Sequence, residues 1–206
     1  ASVSTVEHLM AALAAAGIDN LLVDIDGPEV PVMDGSSRPF LFLIDCAGVT
    51  EQAAARRFIE VLRPVELEQG ASLVRLVPAD RWILDVTIDF ENPVIGRERI
   101  ELELTANGFA SELAAARTFG FAHEVEQMRA AGLGRGGSLD NAVVVAGGAV
   151  LNPEGLRYAD EFVRHKALDA VGDLYLAGAP LLARFEGLAP GHGVNNALLH
   201  KMFADP

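Results

Sequence analysis

The stretch Arg99-Ile100-Glu101-Leu102-Glu103-Leu104-Thr105 alternates apolar with charged or polar side chains without a break. Neighbouring side chains of a β-strand point to opposite faces of its sheet, so this pattern predicts a strand with one buried and one wet face. One-sided burial of this kind is typical of antiparallel sheets. Three strand-like segments precede the stretch, at Phe58–Glu68, Ser72–Pro78 and Trp82–Phe90, with turn sequences between them. The centre of the chain is therefore predicted to be an antiparallel meander.

Helical patterns flank this meander on both sides. On the N-terminal side we predict helices at Val3–Ala16 and Phe40–Ala47, with a strand at Leu21–Asp26 between them. On the C-terminal side we predict helices from Asn107 or Ser111 to Ala116 and at Glu124–Ala131, Glu161–Leu176 and Asn195–Phe203, and strands at Ala142–Ala146 and Pro180–Phe185. Strands and helices that are segregated along a chain favour the α+β class. A change of texture at Gly48–Ala55 predicts two modules, residues 1–52 and 53–206.

Composition narrows the classes of function. The 206 residues carry 16 basic and 29 acidic side chains, a net charge of −13, which disfavours non-specific binding of nucleic acid. Uninterrupted apolar runs fall short of the ~20 residues of a membrane span, so we expect no transmembrane segment. The single cysteine, Cys46, excludes an internal disulfide and a thiolate zinc cluster, and its apolar neighbours predict a core position. Any metal must therefore be held by nitrogen and oxygen.

The predicted helix Glu161–Leu176 carries a polar ridge. His165, Asp169 and Asp173 follow one another at intervals of four residues, which places them on one helix face. Two such residues can bind one metal ion, as the histidines of a helical H-E-x-x-H motif do. An ordinary ion pair between His165 and Asp169 is the alternative interpretation.

Two further histidines stand in suggestive surroundings. Glu7 and His8 are adjacent near the start of the first predicted helix, where Glu7 could alternatively be an acid that favours the helix dipole. His192 lies between Gly191 and Gly193, which suits a side chain presented to a cleft or a surface turn. Catalytic zinc takes three protein ligands and holds a water, and a carboxylate that is not a ligand takes that water's proton. His8, His165 and Asp169 fit the ligands, and Glu7 fits the base.

Four segments together resemble one enzyme family. They are Ser4-Thr5-Val6-Glu7-His8-Leu9, Pro31-Val32-Met33-Asp34-Gly35-Ser36, Arg117-Thr118-Phe119-Gly120-Phe121, and His165-Lys166-x-Leu168-Asp169-x-x-Gly172-Asp173-Leu174. In this order they are similar to the UDP-3-O-acyl-N-acetylglucosamine deacetylases, the zinc amidases that commit Gram-negative bacteria to lipid A synthesis. The resemblance runs through essentially the whole chain.

The resemblance implies a fold and a division of labour. It implies two similar two-layer α+β domains, each a mainly antiparallel sheet with two packed helices, and an active site with Zn²⁺ between them. His8, His165 and Asp169 match the zinc ligands, and Glu7 matches the general base. The other implied catalytic roles are a protonated general acid at His192, its orienting carboxylate at Asp173, an oxyanion donor at Thr118 and a lysine near the substrate's polar groups at Lys166.

The resemblance also implies a substrate and a setting. The substrate would be UDP-3-O-acyl-N-acetylglucosamine, with its acyl chain beside Phe119, Phe121, Ser138 and Val144 and its uracil on Phe90. A cytoplasmic location in a Gram-negative bacterium and a monomeric state are the corresponding expectations.

This sequence departs from the family pattern in places. Some members carry a lysine where this chain has Leu188-Ala189-Pro190, and Ser72 stands at a second basic position. Diphosphate binding would then depend on Lys166, on arginines elsewhere, or on residues outside this sequence. Because the chain reaches Glu7 and His8 without an initial methionine, we expect the N-terminal part of the first domain to be missing. The competing hypotheses are an inactive fragment or a metal-binding homologue, and a metal-free scaffold with ordinary ion pairs.

Overall fold

The structure is a computed structural model that describes residues 2–124 and 137–204. Its helices are α1 (Glu7–Ala16), α2 (Arg38–Ala47), α3 (Ala106–Glu112), α4 (Glu161–Tyr175) and α5 (His192–Ala204). Its strands are β1 (Ile59–Glu60), β2 (Val65–Gln69), β3 (Ser72–Pro78), β4 (Trp82–Asp89), β5 (Arg97–Glu103), β6 (Phe119–Phe121), β7 (Val143–Ala146), β8 (Ala149–Val150) and β9 (Leu181–Leu188). The chain is thus α+β, with two sheets and packed helices.

The larger sheet is the meander predicted from the alternating stretch, with one late strand inserted. Its order is β2-β3-β9-β4-β5, and β1 pairs with β9. The pairs β2/β3, β3/β9 and β4/β5 are antiparallel, whereas β9 runs parallel to β4 and β1. Along β5, half-buried Ile100 and Leu102 alternate with exposed Glu101 and Glu103, as the sequence predicted. The sheet therefore has one face on the core and one in water.

Helix α4 lies between this sheet and α1. Its apolar residues Phe162, Leu168, Val171 and Leu174 are buried in the core, and α1 packs along its other side. The polar ridge of α4 is buried as well, because α1 covers it. Buried polar groups need partners, so the interface between α1 and α4 is the candidate site for chemistry.

The N-terminal part differs from its prediction. Residues 21–26 form no strand, and Leu21, Leu22 and Val23 are 53%, 84% and 46% exposed. A strand needs a neighbour for its backbone N–H and C=O groups, and none of the described residues pairs with this segment, so the alternating pattern alone does not produce one. The expected core position of Cys46 is also wrong, since this residue is exposed.

Helix α1 starts at Glu7 instead of Val3 because the preceding residues make a different contact. The Ser4 amide donates to the Pro28 carbonyl, and the Val30 amide donates to the Ser4 carbonyl, both at 3.0 Å. The predicted strand Phe58–Glu68 is likewise divided into β1 and β2. Pro64 lies between them and has no amide hydrogen to give to a sheet.

A second sheet, with the strand order β6-β7-β8, follows α3 in the sequence. Strand β6 pairs in parallel with β7 through Phe119 and Val143. The helix predicted at Glu124–Ala131 falls almost wholly outside the described residues. None of the described helices is long and apolar enough to cross a bilayer.

Candidate metal centre and active site

Three buried ligands converge where α1 meets α4. His8 comes from the first turn of α1, and His165 and Asp169 come from successive turns of α4. Asp169 Oδ1 lies 3.3 Å from His165 Nε2 and 3.6 Å from His8 Nε2. One ligand atom from each of the three residues lies within 4.8 Å of the other two. The helical spacing brings His165 to Asp169, and the packing of the two helices brings His8.

Close backbone contact sets the distance between these helices. A Cβ atom on Gly172 would lie 2.0 Å from the Glu7 carbonyl oxygen, so only glycine allows α1 to approach α4 this closely. The buried Ser37 hydroxyl, just before α2, donates to the His8 carbonyl at 2.8 Å. Both contacts act on the turn of α1 that carries His8.

Hydrogen bonding fixes which nitrogen of His165 faces the centre. His165 Nδ1 lies 3.1 Å from the Ala116 carbonyl oxygen. A carbonyl can only accept, so Nδ1 carries the proton and the Nε2 lone pair is free for a metal. Burial lowers the pKa of His165 to about 4, which keeps the ring neutral as a ligand must be.

The carboxylate of Asp169 has one oxygen engaged and one without a partner. Oδ2 accepts from Lys166 Nζ at 2.9 Å, whereas buried Oδ1 has no hydrogen-bond partner among the described residues. Burial alone would raise the pKa of Asp169, but the His165 ring and the Lys166 ammonium outweigh it and lower the pKa well below its ordinary value. An ionised, unpartnered oxygen facing an imidazole lone pair calls for a cation between them. Two imidazole nitrogens and one carboxylate oxygen are a donor set that Zn²⁺ takes, with a fourth position left open.

A second histidine–carboxylate pair stands at the N-terminus of α5. His192 Nδ1 lies 2.9 Å and 3.0 Å from the two oxygens of Asp173, and Asn195 Nδ2 donates to Asp173 Oδ2 at 2.8 Å. The hydrogen bond to Asp173 outweighs partial burial and raises the pKa of His192 to about 9. The ring is therefore protonated at neutral pH, opposite in state to His165.

A cavity of about 300 Å³ opens onto these groups. It is lined by Phe90, Thr118, Phe119, Gly120, Phe121, Glu124, His165, Lys166, Asp169 and His192. Phe90 contacts the rings of Phe119 and Phe121 with centroids 5.8 Å and 6.0 Å apart, so one wall of the cavity is aromatic. A polar floor beside an apolar wall suits a ligand with both kinds of surface.

Some predicted site residues lie outside this lining. Glu7 is half-buried. Burial lowers the pKa of Lys166, but the negative charge of Asp169, with a smaller contribution from Glu7, outweighs burial and raises that pKa. Asp173 contacts Nδ1 of His192, which lines the cavity. Ser138 does not line the cavity, and its backbone amide donates to Asn141 Oδ1 at 2.8 Å. Val144 is half-buried in β7, opposite Gly120.

The two departures from the family pattern meet in space. Ser72 Oγ donates to the Ala189 carbonyl at 2.7 Å, and Ala189 adopts a φ of +47°. The two positions at which the resemblance led us to expect basic residues are thus neighbours, and the residues at both are uncharged.

Several residues that shape the site were missed by the sequence prediction. Glu161 precedes His165 by four residues and so extends the polar ridge by one turn, a signal that was available. Arg117 was quoted only as part of a motif, and its buried pairing with Glu161 needs the three-dimensional structure. Nothing in the sequence indicated the contacts that Ser37 and Asn195 make with His8 and Asp173.

Comparisons with known proteins all point to one enzyme family. A family model described as "LpxC: UDP-3-O-acyl N-acetylglycosamine deacetylase" matches residues 1–204. A UDP-3-O-acyl-N-acetylglucosamine deacetylase of Neisseria gonorrhoeae is 52% identical over 205 residues, which is 98% of this chain and 67% of the relative. One of Phenylobacterium zucineum is 55% identical over 205 residues, 100% of this chain and 70% of the relative. One of Anaeromyxobacter is 51% identical over 206 residues, covering 68% of the relative.

Proposed function

This chain belongs to the UDP-3-O-acyl N-acetylglycosamine deacetylase family, and from that premise we propose how its residues divide the work of the reaction. The activity is removal of the N-acetyl group of UDP-3-O-acyl-N-acetylglucosamine in lipid A biosynthesis, by a zinc-dependent amide hydrolysis. The observation that carries the assignment of roles is the convergence of His8, His165 and Asp169 beside the cavity that Thr118 lines.

His8 Nε2, His165 Nε2 and Asp169 Oδ1 would hold the zinc. When bound, Zn²⁺ polarises the acetamide carbonyl and acidifies water toward neutral pH. The unpartnered state of Asp169 Oδ1 and the tautomer of His165 support this assignment.

Glu7 would act as general base and take the proton of the attacking water on its carboxylate. Its position next to His8 in the chain supports the role, since the base must stand beside the metal without ligating it. Thr118 would donate a hydrogen bond from its hydroxyl group to the carbonyl oxygen as negative charge develops there.

His192 would act as general acid. Its Nδ1 is engaged by Asp173, so Nε2 is the atom available to give a proton to the departing amine nitrogen. The raised pKa of His192, about 9, keeps that proton in place at neutral pH, and Asp173 holds the ring by two oxygens. Lys166, bonded to Asp169, would add positive charge near the substrate's polar groups.

Substrate binding would follow the chemistry of the cavity. The aromatic wall of Phe90, Phe119 and Phe121 supports contacts with the acyl chain and, at Phe90, with uracil. Ser138 and Val144 would lie further along the acyl passage. Because Ser72 and Ala189 are uncharged neighbours, the diphosphate would depend on other groups.

The wider arrangement is part of the same proposal. We infer two similar domains, residues 1–52 and 53–206. Action as a monomer in the cytoplasm of a Gram-negative bacterium is expected, and a net charge of −13 supports the absence of a nucleic-acid partner.

The test measures zinc content and acetate release together. Glu7→Gln should keep a full zinc complement and lose most turnover, by about 10²-fold or more, because only the base is removed. His165→Ala should lose both zinc and turnover. Full activity in either variant would refute the assigned roles.

A further inference from the structure

We propose that Glu161 is a positioning residue that acts on the metal ligand His165 through a single peptide group. The inference rests on the proposed function, since it assumes that His165 ligates the metal. The peptide is the one that joins Ala116 to Arg117, directly before Thr118.

The carboxylate of Glu161 is completely buried and saturated with donors. Its Oε1 accepts from the backbone amide and from Nε of Arg117, both at 2.9 Å. Its Oε2 accepts from the backbone amide of Arg157 at 2.6 Å and from Nη2 of Arg117 at 3.2 Å. A buried charge is costly unless it is paired and hydrogen-bonded, so these four bonds hold the surrounding backbone in one arrangement.

The peptide group transmits this hold to the metal centre. The N–H that Glu161 binds and the C=O that His165 Nδ1 binds belong to the same planar unit, the Ala116–Arg117 peptide. Glu161 and His165 are four residues apart on α4, so one helix face holds both edges of that unit. A shift of either side chain must turn the peptide and disturb the other.

The arrangement also has an electronic consequence. Histidine ligands are commonly bonded to a carboxylate or a carbonyl, which fixes the ring and raises its basicity. Here the Glu161 carboxylate acts on the Ala116 carbonyl, and that carbonyl accepts from His165. A negative charge on the N–H side of a peptide strengthens its oxygen as an acceptor. Glu161 thereby strengthens His165 as a ligand without touching it.

The proposed oxyanion donor, Thr118, is the next residue along the chain from this unit. Thr118 follows the held peptide, and its backbone is fixed on both sides by the Gly35 carbonyl at 2.7 Å and the Val143 amide at 2.8 Å. Glu161 thus holds the peptide that is hydrogen-bonded to the His165 ring and that directly precedes Thr118. A buried ion pair with only a structural role would stabilise the fold but would not tie these two groups together.

The test compares Glu161→Gln with a matched control, Glu154→Gln. Glu154 also pairs with Arg117, since its Oε1 accepts from Nη1 at 2.6 Å, but its side chain is 54% exposed. This hydrogen bond goes to the Arg117 side chain and not to the Ala116–Arg117 peptide. We expect Glu161→Gln to weaken zinc affinity by about 10- to 100-fold, the range for groups that support metal ligands. It should also lower kcat more than it changes KM and alter the absorption spectrum of the Co²⁺-substituted protein. Glu154→Gln should leave zinc affinity and the Co²⁺ spectrum unchanged.

A second measurement needs no variant and so does not depend on folding of Glu161→Gln. The amides of Arg117 and Val163 each donate to a carboxylate, that of Arg117 to Glu161 Oε1 at 2.9 Å and that of Val163 to Glu98 Oε2, on β5, at 3.0 Å. Of these two amides, that of Arg117 belongs to the peptide whose carbonyl is hydrogen-bonded to the His165 ring. Addition of zinc should therefore shift the Arg117 amide resonance more than that of Val163.

Equal zinc affinity in the two glutamine variants, or equal resonance shifts of the two amides, would overturn the inference. Absence of zinc binding by the unaltered protein would instead refute the proposed function, so the two failures are distinguishable.

Discussion

Substitution of Gly172 by alanine should separate the two helices that carry the zinc ligands. The added Cβ would lie 2.0 Å from the Glu7 carbonyl oxygen, whereas contacts below 3.0 Å are essentially never seen. The backbone of α1 must therefore move away from α4 by at least about 1 Å, the difference between those two distances. The metal ligands tolerate only ~0.2 Å of displacement, so His8 should leave the coordination sphere or bind with poor geometry.

The size of the effect differs between function and stability. A misplacement of ~1 Å can cost about 10²-fold in rate, and we expect kcat to fall by that order, with weaker zinc binding. Overpacking costs ~1–3 kcal/mol, and the helix propensity of alanine returns up to ~1 kcal/mol. The free energy of unfolding should therefore fall by only ~0–3 kcal/mol.

The assays are zinc titration against a chelator, acetate release, and urea unfolding. Gly193→Ala is the control, because Gly193 lies on α5 with open space around its Cβ position. This control should be as stable as the parent or slightly more stable, with unchanged zinc affinity. Parental zinc affinity in Gly172→Ala would show that the close approach of α1 to α4 does not set the metal geometry.

Three further predictions concern single interactions. Asp173→Asn should lower the pKa of His192 from about 9 toward its ordinary ~6.5, because the hydrogen bond to the carboxylate raises it. Since the protonated ring is the active form, the alkaline fall of kcat/KM with pH should move to lower pH, and an unmoved limb would argue against His192 as the acid. Ser37→Ala should cost about 1 kcal/mol in urea unfolding through loss of the bond to the His8 carbonyl, and an unchanged midpoint would contradict this. Free zinc at ~1,000 times its dissociation constant should stabilise the protein by ~4 kcal/mol in thermal unfolding, and His165→Ala should abolish that gain; a gain retained in this variant would assign the zinc to other ligands.

The sequence allowed prediction where one local rule decides the outcome. Strict alternation predicted β5, and intervals of four residues predicted that His165 and Asp169 share a face of α4. Local rules could not bring His8 to them, because that contact depends on the packing of α1 against α4. The link came from the family resemblance.

The failures have the same physical origin. Residues 21–26 alternate as a strand does, but a strand also needs a neighbour, and Leu22 is 84% exposed. The role of Gly172 depends on a backbone contact with Glu7 that spans most of the chain. The pairing of Arg117 with Glu161 is likewise long-range, although the four-residue interval from Glu161 to His165 was visible in the sequence.

Anomalous diffraction at the zinc edge tests the central claim most directly. We predict one zinc peak between α1 and α4, with His8 Nε2, His165 Nε2 and Asp169 Oδ1 each at ~2.0–2.2 Å. The Ala116 carbonyl should still accept from His165 Nδ1 in that structure. A peak elsewhere, or coordination through His165 Nδ1, would contradict the account.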